Sequence, residues 1–366
     1  MLLPFGLAGY KDCLLIIKLV YIFIFLLIGS FSVLLGQSTN DCKLIGKVID
    51  ANTGEPVQLV NVYLSGTTFG ASTSQAGNYC MEKIPAGSYQ LIFQHVGYEI
   101  TLKDIQIEDN QRYEMSAQLQ PKIYDLEEIQ VSTTKQTEWK NHFNFFVKEF
   151  IGESENASRC EILNPEVLNF KVEKDSKLFI AYTDSIIRIA NRSLGYQINV
   201  ILVDFRCEDD FMTQYRIHPK FEILKTSNES EQREWIQNRR ETYQGSFKHF
   251  LSALARGEIM EEYFNLFSAS NIIWLRGLSS RKIRGDSLKI IDTETPLYKK
   301  FYFDDYLIIN YWQGYLSPPS IIKFKQDYIV IDTLGNIVTP GLVELGGEWY
   351  KQRVADTLPR EYIPAD

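Results

Sequence analysis

Histidine is scarce: four residues, His95, His142, His218 and His249, serve 366 positions, and no two lie within four residues of each other. That spacing excludes the H-E-x-x-H and H-x-x-E pairs on which zinc peptidases are built. Cysteine is nearly as sparse, at five, with no C-x-x-C pair, so the sequence carries neither the signature of a zinc site nor that of a dithiol redox motif. A G-x-S-x-G elbow, a P-loop and a G-x-G-x-x-G turn are also missing, and with them the commonest marks of serine hydrolases, nucleotide hydrolases and dinucleotide enzymes. Basic surplus is lacking too: 38 Lys and Arg against 46 Asp and Glu leave a net charge of −8. No basic face is on offer to neutralise phosphates, so no nucleic-acid partner is expected, and no cofactor either. The densest basic run, REWIQNRRET at 233–242, is interleaved with Glu231, Glu234 and Glu241, as on a solvated helix face.

What the chain does have begins at its amino end. Lys11 and Lys18 precede an uncharged run over residues 19–37 that closes on Gly36 and Gln37. A short basic region, an apolar stretch and small residues read as a secretory signal over residues 1–36. The alternative is an uncleaved signal anchor, since about 17–25 apolar residues can span a bilayer; membrane contact would then run only through residues 13–36. Either way the rest is expected outside the cytoplasm, in a periplasm or at an outer-membrane or cell surface. Cys42, Cys80, Cys160 and Cys207 lie beyond this segment. In a regular strand Cys42 shares parity with Leu44 and Val48, whereas Cys80 stands between Tyr79 and Met81, so the two are expected on different faces, as free thiols.

Length favours two domains. From Lys43 to Leu119 short alternating runs are separated by turn formers. Val60, Val62 and Leu64 share one face, as do Tyr89, Leu91 and Phe93, and Met115, Ala117 and Leu119. Period two over four to seven residues marks strands with one buried face, and strands at this spacing with no helical window predict a β-sandwich. The same residues carry a resemblance. GKVIDANTGEP at 46–56, NVYL at 61–64, TSQAGNY at 73–79, IPAGSYQL at 84–91 and VGY at 96–98 resemble the carboxypeptidase-regulatory-like domain of Gram-negative envelopes. The resemblance implies a transthyretin-like sandwich over residues 43–120 and no peptidase activity. Ser74 departs from the aspartate usual at that corner. LEEIQVS at 126–132 is similar to the segment by which outer-membrane receptors of TonB-dependent uptake systems contact their energising partner; as plain sequence it is a last strand or linker, within 121–137.

Residues 138–366 are expected to form an α+β domain. Trp139, Phe143, Phe146 and Phe150 make one helical stripe, residues 167–224 alternate as an antiparallel meander, and 229–256 are helical with a break at Gly245. Strands return at 305–312, 320–332 and 341–346, and a short helix is expected near 349–358. CEILNPEVL, LGYQINVILVDF, YQGSFKHFL and RVADTLPREY resemble a family of exported proteins of unknown function. The fold class is thus mixed and β-rich: an N-terminal transthyretin-like antiparallel sandwich followed by an α+β domain.

Chemistry is thinly signalled. Ser246 and His249 lie one helical turn apart, which brings any two side chains together whatever their role, and no third residue is evident to orient the histidine. Glu208-Asp209-Asp210 lacks calcium-loop spacing. Asp184-Ser185, Asp286-Ser287, Asp332-Thr333 and Asp356-Thr357 resemble a short O-glycosylation motif of some Gram-negative envelopes. The expected partner surface is aromatic: Tyr311, Trp312, Tyr315 and Trp349, near Pro318 and Pro319, where exposed rings would meet a sugar or a protein hot spot and buried ones would fill a core. The expectation is therefore a non-enzymatic exported envelope protein that binds or assembles with a protein or glycan. The alternative is an envelope hydrolase of glycan or peptide whose paired carboxylates, about 5–10 Å apart, sequence does not reveal.

Overall fold

The computed structural model describes residues 42–122, 133–173, 176–208, 212–270, 281–285, 288–312, 318–338 and 343–364. Residues 1–41, with the expected signal segment, LEEIQVS at 126–132, Asp209, Asp210, Asp286, Ser287 and Tyr315 lie outside the described residues. Among those described, no helix is long and apolar enough to cross a membrane.

The first unit is a sandwich of two four-stranded sheets. Its strands are β1 (Cys42–Asp50), β2 (Asn61–Leu64), β3 (Gly70–Ser72), β4 (Asn78–Glu82), β5 (Gly87–Gln94), β6 (Thr101–Ile107), β7 (Tyr113–Glu114) and β8 (Ala117–Leu119). In one sheet β1 pairs antiparallel with β4 and parallel with β7 and β8; the other runs β3-β2-β5-β6. The alternating residues Leu44, Val48, Val62, Leu64, Leu91, Phe93 and Leu119 fill the space between them. Asp50 orders the first corner by accepting the backbone N–H of Asn52 and Thr53 at 2.7 and 2.9 Å, and Tyr98 donates to the same carboxylate at 2.9 Å.

Two expectations fail here for physical reasons. Cys42 and Cys80 are joined in a disulfide, with Cα atoms 5.5 Å apart. A bulge between Cys42 and Leu44 shifts the register, so that Cys42 faces Glu82 while Leu44 faces Met81. One extra residue reverses strand parity, which turns Cys42 to the outer face, where Cys80 and Glu82 are exposed. Tyr63 and Ile92 are the second case. Alternation puts them on the solvent side, yet both are buried, because Ile201 of the next unit packs onto them.

The second unit wraps a six-stranded antiparallel sheet around α1 (Thr133–Phe150). It contains β9 (Cys160–Ile162), β10 (Asn169–Glu173), β11 (Leu178–Tyr182), β12 (Ile187–Asn191), β13 (Tyr196–Glu208) and β14 (Met212–Ile223). Phe146 and Phe150 of the stripe are fully buried and stack at 4.7 Å. His142, on the flank of the stripe, meets Phe170 and Phe179 edge-on at 6.1 and 5.7 Å, because β10 and β11 extend past the stripe. The sheet is not a simple meander: long β13 pairs β12 at one end and β11 at the other.

Then come α2 (Glu229–Tyr243) and α3 (Phe247–Arg256), followed by a third hydrophobic core. Its strands are β15 (Phe264–Ala269), β16 (Arg281–Ile283), β17 (Lys289–Asp292), β18 (Tyr298–Tyr302), β19 (Tyr306–Tyr311), β20 (Ser320–Phe324), β21 (Tyr328–Asp332) and β22 (Val343–Gly347). They form a five-stranded sheet, β16-β15-β19-β20-β22, and a three-stranded one, β17-β18-β21. The stretch 320–332, expected as one strand, bends between Phe324 and Tyr328 and so serves both sheets. A one-turn helix, α4 (Glu348–Lys351), follows β22.

The three cores are tied together. The turn after β2 lies along the edge of β14: Gly66 N–H donates to Pro219 O at 2.6 Å, and Phe221 N–H to Thr67 O at 2.9 Å. Lys220 donates to Asn61 Oδ1 at 2.8 Å. Residues 352–362 then touch every unit. Ala355 N–H donates to Ile151 O at 3.2 Å and Arg360 N–H to Gly66 O at 2.8 Å. Glu361 Oε1 accepts from Thr68 N–H at 2.8 Å and from its hydroxyl at 2.5 Å. Arg360 lies over the Tyr89 ring and reaches Asp332 at 3.4 Å, while Lys248 donates to Arg360 O.

Two predictions follow from these cores. Cys42 and Cys80 close a loop with a sequence separation of 38, so loop-closure entropy sets the bridge at about 3–4 kcal/mol. Cys42→Ser should lower stability by about that amount in urea melts, and dithiothreitol should do the same to the parent chain but nothing to the variant. The second concerns alkali. Burial pushes the hydroxyls of Tyr196 and Tyr215 up to about 12 and holds Tyr63, Tyr79 and Tyr89 protonated beyond the ordinary range. Unfolded tyrosines ionise near about 10. The raised folded values therefore add stability that is complete below pH ~10 and is lost as pH climbs toward 12. Lys248 acts in the opposite sense, its ammonium pushed down to about 8 by burial, but it is one group against five. Phenolate absorbance should rise together with loss of tertiary structure above pH ~10; full phenolate absorbance with the fold intact would refute this.

Candidate functional site: a polar cleft backed by tryptophan

A cleft of about 520 Å³ opens where the end of α1, the turn at 152–156, the end of α2 and residues 348–356 converge. Five carboxylates line it (Glu149, Glu153, Glu241, Glu348 and Asp356) beside three cations, Lys148, Lys351 and Arg353. Every carboxylate already has a partner. Glu153 pairs with Lys148 at 3.6 Å and Glu348 with Lys351 at 2.5 Å. Glu149 accepts from the Thr213 hydroxyl at 2.5 Å and faces Arg353 at 3.9 Å. Asp356 accepts from Ser154 at 2.8 Å and Asn156 at 3.0 Å, and Glu241 accepts from Gln237 at 2.7 Å. Arg353 also donates from Nε to Glu149 O at 2.9 Å and lies 4.7 Å from the Tyr350 ring. A nucleophile behind Asp356 is suppressed: burial first, and Asp356 second, push the Cys160 thiol up to about 12, so it stays protonated at neutral pH.

Trp349, between the lining residues Glu348 and Tyr350, points away from the opening. It is 3% exposed, packs on Phe247 and Phe250 at 5.2 and 5.5 Å, and donates from Nε1 to Gly245 O at 2.8 Å. Gly245 follows the lining residue Gln244 and has φ +71; a Cβ there would sit 2.6 Å from the Tyr311 ring. Only glycine fits this crossing point. Tyr311 itself packs on Phe264 at 5.0 Å. Of the aromatic residues singled out from sequence, Trp349 and Tyr311 thus stand behind the cleft, Trp312 is 42% exposed, and Tyr315 lies outside the described residues. Trp312 N–H donates to Tyr263 O at 3.0 Å, and Tyr263, which sequence reading passed over, is 59% exposed with φ +62.

Ser246 and His249 do not form a nucleophile–base pair. The Ser246 hydroxyl accepts from His249 N–H at 3.1 Å and caps α3. His249 Nδ1 accepts Gly245 N–H at 3.0 Å, which leaves the proton on Nε2, aimed at Glu262 Oε2 at 3.0 Å. Glu262 is the orienting acid that sequence did not reveal, but the imidazole it holds is buried and turned to the backbone. Burial lowers the His249 pKa, against the pull of Glu262. Two of the Asp-Ser/Thr pairs are also structural: Asp332 accepts Leu334 and Asn336 N–H in its own turn, and Asp356 belongs to the cleft. Cys42, Cys80 and Glu82 form the one grouping with metal-like spacing among the described residues, and its two sulfurs are bonded to each other.

Residues 44–131 match the family model of the CarboxypepD_reg-like domain. No protein of curated function matches the chain. Among solved structures, a cohesin–X-dockerin complex from Acetivibrio cellulolyticus is 21% identical over 20% of this chain and 50% of its own, with a TM-score of 0.16. The chain thus spans half the length of that match. A protein from Bacteroides uniformis, described only as a candidate for carbohydrate binding, is 11% identical over 80% of this chain and 100% of its own, with a TM-score of 0.18. A DUF3823 family protein from Bacteroides ovatus is 12% identical over 50% and 81%, with a TM-score of 0.15. Scores this low carry no argument.

The cleft wall yields a prediction. Trp349→Phe keeps a ring against Phe247 and Phe250 but leaves the half-buried Gly245 O without its indole donor, and an unpaired carbonyl costs about 1–3 kcal/mol. Trp349→Ala should cost about 3–5 kcal/mol, because the ring goes as well. Urea midpoints of the two variants in that order would bear this out; a Phe variant as stable as the parent would show that the hydrogen bond contributes nothing.

Proposed function

We propose that the chain is an exported, non-catalytic envelope protein that holds a polar partner, glycan or peptide, in the cleft beside Arg353 and Tyr350. The carrying observation is that the two cleft carboxylates that join different elements, Glu149 and Asp356, are engaged in bracing the walls, while Glu153, Glu241 and Glu348 are each paired on or beside their own segment. A hydrolase needs one carboxyl protonated and a second free to attack or to activate water. Here the acids brace a shaped surface of donors and acceptors around one aromatic ring, which suits recognition. The disulfide supports the export reading, since such bridges persist in oxidising compartments. The basic and apolar leader supports it from the sequence side. In this reading residues 43–120 are the sandwich module, 121–137 a connector available to a TonB-type uptake partner, and 138–366 the binding region.

Cell fractionation and a non-reducing gel test the compartment: the chain should appear outside the cytoplasm with Cys42 and Cys80 oxidised. Binding is tested by thermal shift of the full-length chain against soluble envelope polysaccharides and peptidoglycan fragments. At least one should raise the melting midpoint, and Arg353→Gln with Tyr350→Ala should abolish the shift. Release of new reducing ends or free amines would instead favour the hydrolase reading, and absence of any shift would remove the cleft from consideration.

A further inference from the structure

Residues 352–356 form one wall of the cleft, and four residues later the same segment grips the sandwich. The first part is anchored by Arg353 to Glu149 O, by Ala355 N–H to Ile151 O and by Asn191 Nδ2 to Ala355 O at 2.9 Å. The second is anchored by Arg360 N–H to Gly66 O and by Glu361 to Thr68. Val354, Ala355 and Leu358 are buried in the second core, and Leu358 and Pro359 stand in the link 356–359 between the two sets of anchors.

We propose that residues 352–362 act as a strap that docks as one unit, so that the cleft and the grip on the sandwich are coupled. This gives the cleft of the proposed function a regulator, and rests on that reading only for what the occupant is. The warrant is the shortness of the bridge. A link of residues 356–359, with Leu358 buried and Pro359 restrained, leaves little slack between the two anchor points, so one end is hard to release without loosening the other. An occupant that needs the wall in place binds only the docked strap, and raises the docked population by the factor 1 + [L]/Kd. By reciprocity, whatever displaces Glu361 from Thr68 weakens the hold on that occupant by the same factor.

Charged groups meet at the sandwich end from each element packed there. They are Lys248 of α3, Asp332 of β21, and Arg360 and Glu361 of the strap, beside Tyr89 of β5. Glu361 Oε2 is the buried side-chain oxygen without a hydrogen-bond partner among the described residues. The contact there is carried by one carboxylate oxygen alone, which makes Thr68 a sensitive point.

Hydrogen exchange of the full-length chain, followed by mass spectrometry, tests the coupling without any ligand. Thr68→Val removes the hydroxyl, and with it one of the two bonds that Glu361 Oε1 accepts there, at nearly constant shape. Protection of the 353–357 amides should fall at least fivefold, while the β12–β13 ladder stays as protected as in the parent. From the other end, Arg353→Gln should lower protection at Arg360. Losses confined to each variant's own neighbourhood, or no loss in either, overturn the proposal. If Arg353→Gln also loosens the β12–β13 ladder, Thr68→Val decides. The result is independent of whether the cleft binds anything, so failure here and failure of the binding reading are separately visible.

Discussion

The edge of β14 is the constraint on which the rest of the arrangement turns. Its strand is twelve residues long and pairs β13 on one side, leaving its other row of backbone groups to be covered. Pro219 offers no N–H within that edge, so only a short contact can form there. The turn after β2 supplies it through Gly66 and Thr67, with Lys220 pinned to Asn61. An unprotected edge of that length would invite pairing with another chain. Closing it with the sandwich also buries Tyr63 and Ile92, which would otherwise stand in water. Edge protection and unit docking are one set of contacts.

The cleft lies on the far side of the same logic. It forms where three chain segments, at 148–156, 241–244 and 348–356, meet, and helix and turn ends bring unpaired polar groups. Arg353 meets carbonyls of that kind at the end of α1 and around α4. Glu149 faces the cation at 3.9 Å, and Asp356 is held by Ser154 and Asn156. The surface proposed for binding is thereby braced at Glu149, Arg353 and Asp356, and bracing of this kind would reduce the conformational entropy lost on binding.

The strands of the sandwich were legible because alternation reports burial directly: Leu44, Val48, Leu91 and Phe93 fall where period two puts them. The stripe of α1 and the break at Gly245 were legible for the same reason. Three things were hidden. A bulge changes parity without changing composition, so the Cys42–Cys80 pairing could not be read from spacing. Docking buries residues that alternation assigns to solvent, as at Tyr63 and Ile92. The cleft depends on segments whose meeting is a tertiary event; Glu149, Asn156 and Asp356 carry no local mark of it. Trp349 was noticed as an aromatic residue, yet its role in holding Gly245 depends on a neighbour 104 positions away.

The bulge at Cys42 has a consequence in time as well as in space. A chain emerges amino end first, and its early units can fold before later ones exist. Beyond residues 1–41, Cys42 and Cys80 are then the only pair, and the β1–β4 ladder aligns them while Cys160 and Cys207 have yet to appear. When the later thiols do arrive, Cys207 goes under Thr213 and Cys160 is kept protonated beside Asp356. Four cysteines permit three fully paired connectivities; two of them join Cys42 or Cys80 to a later cysteine, and early closure of the Cys42–Cys80 bridge forecloses both, with Cys160 and Cys207 remaining thiols.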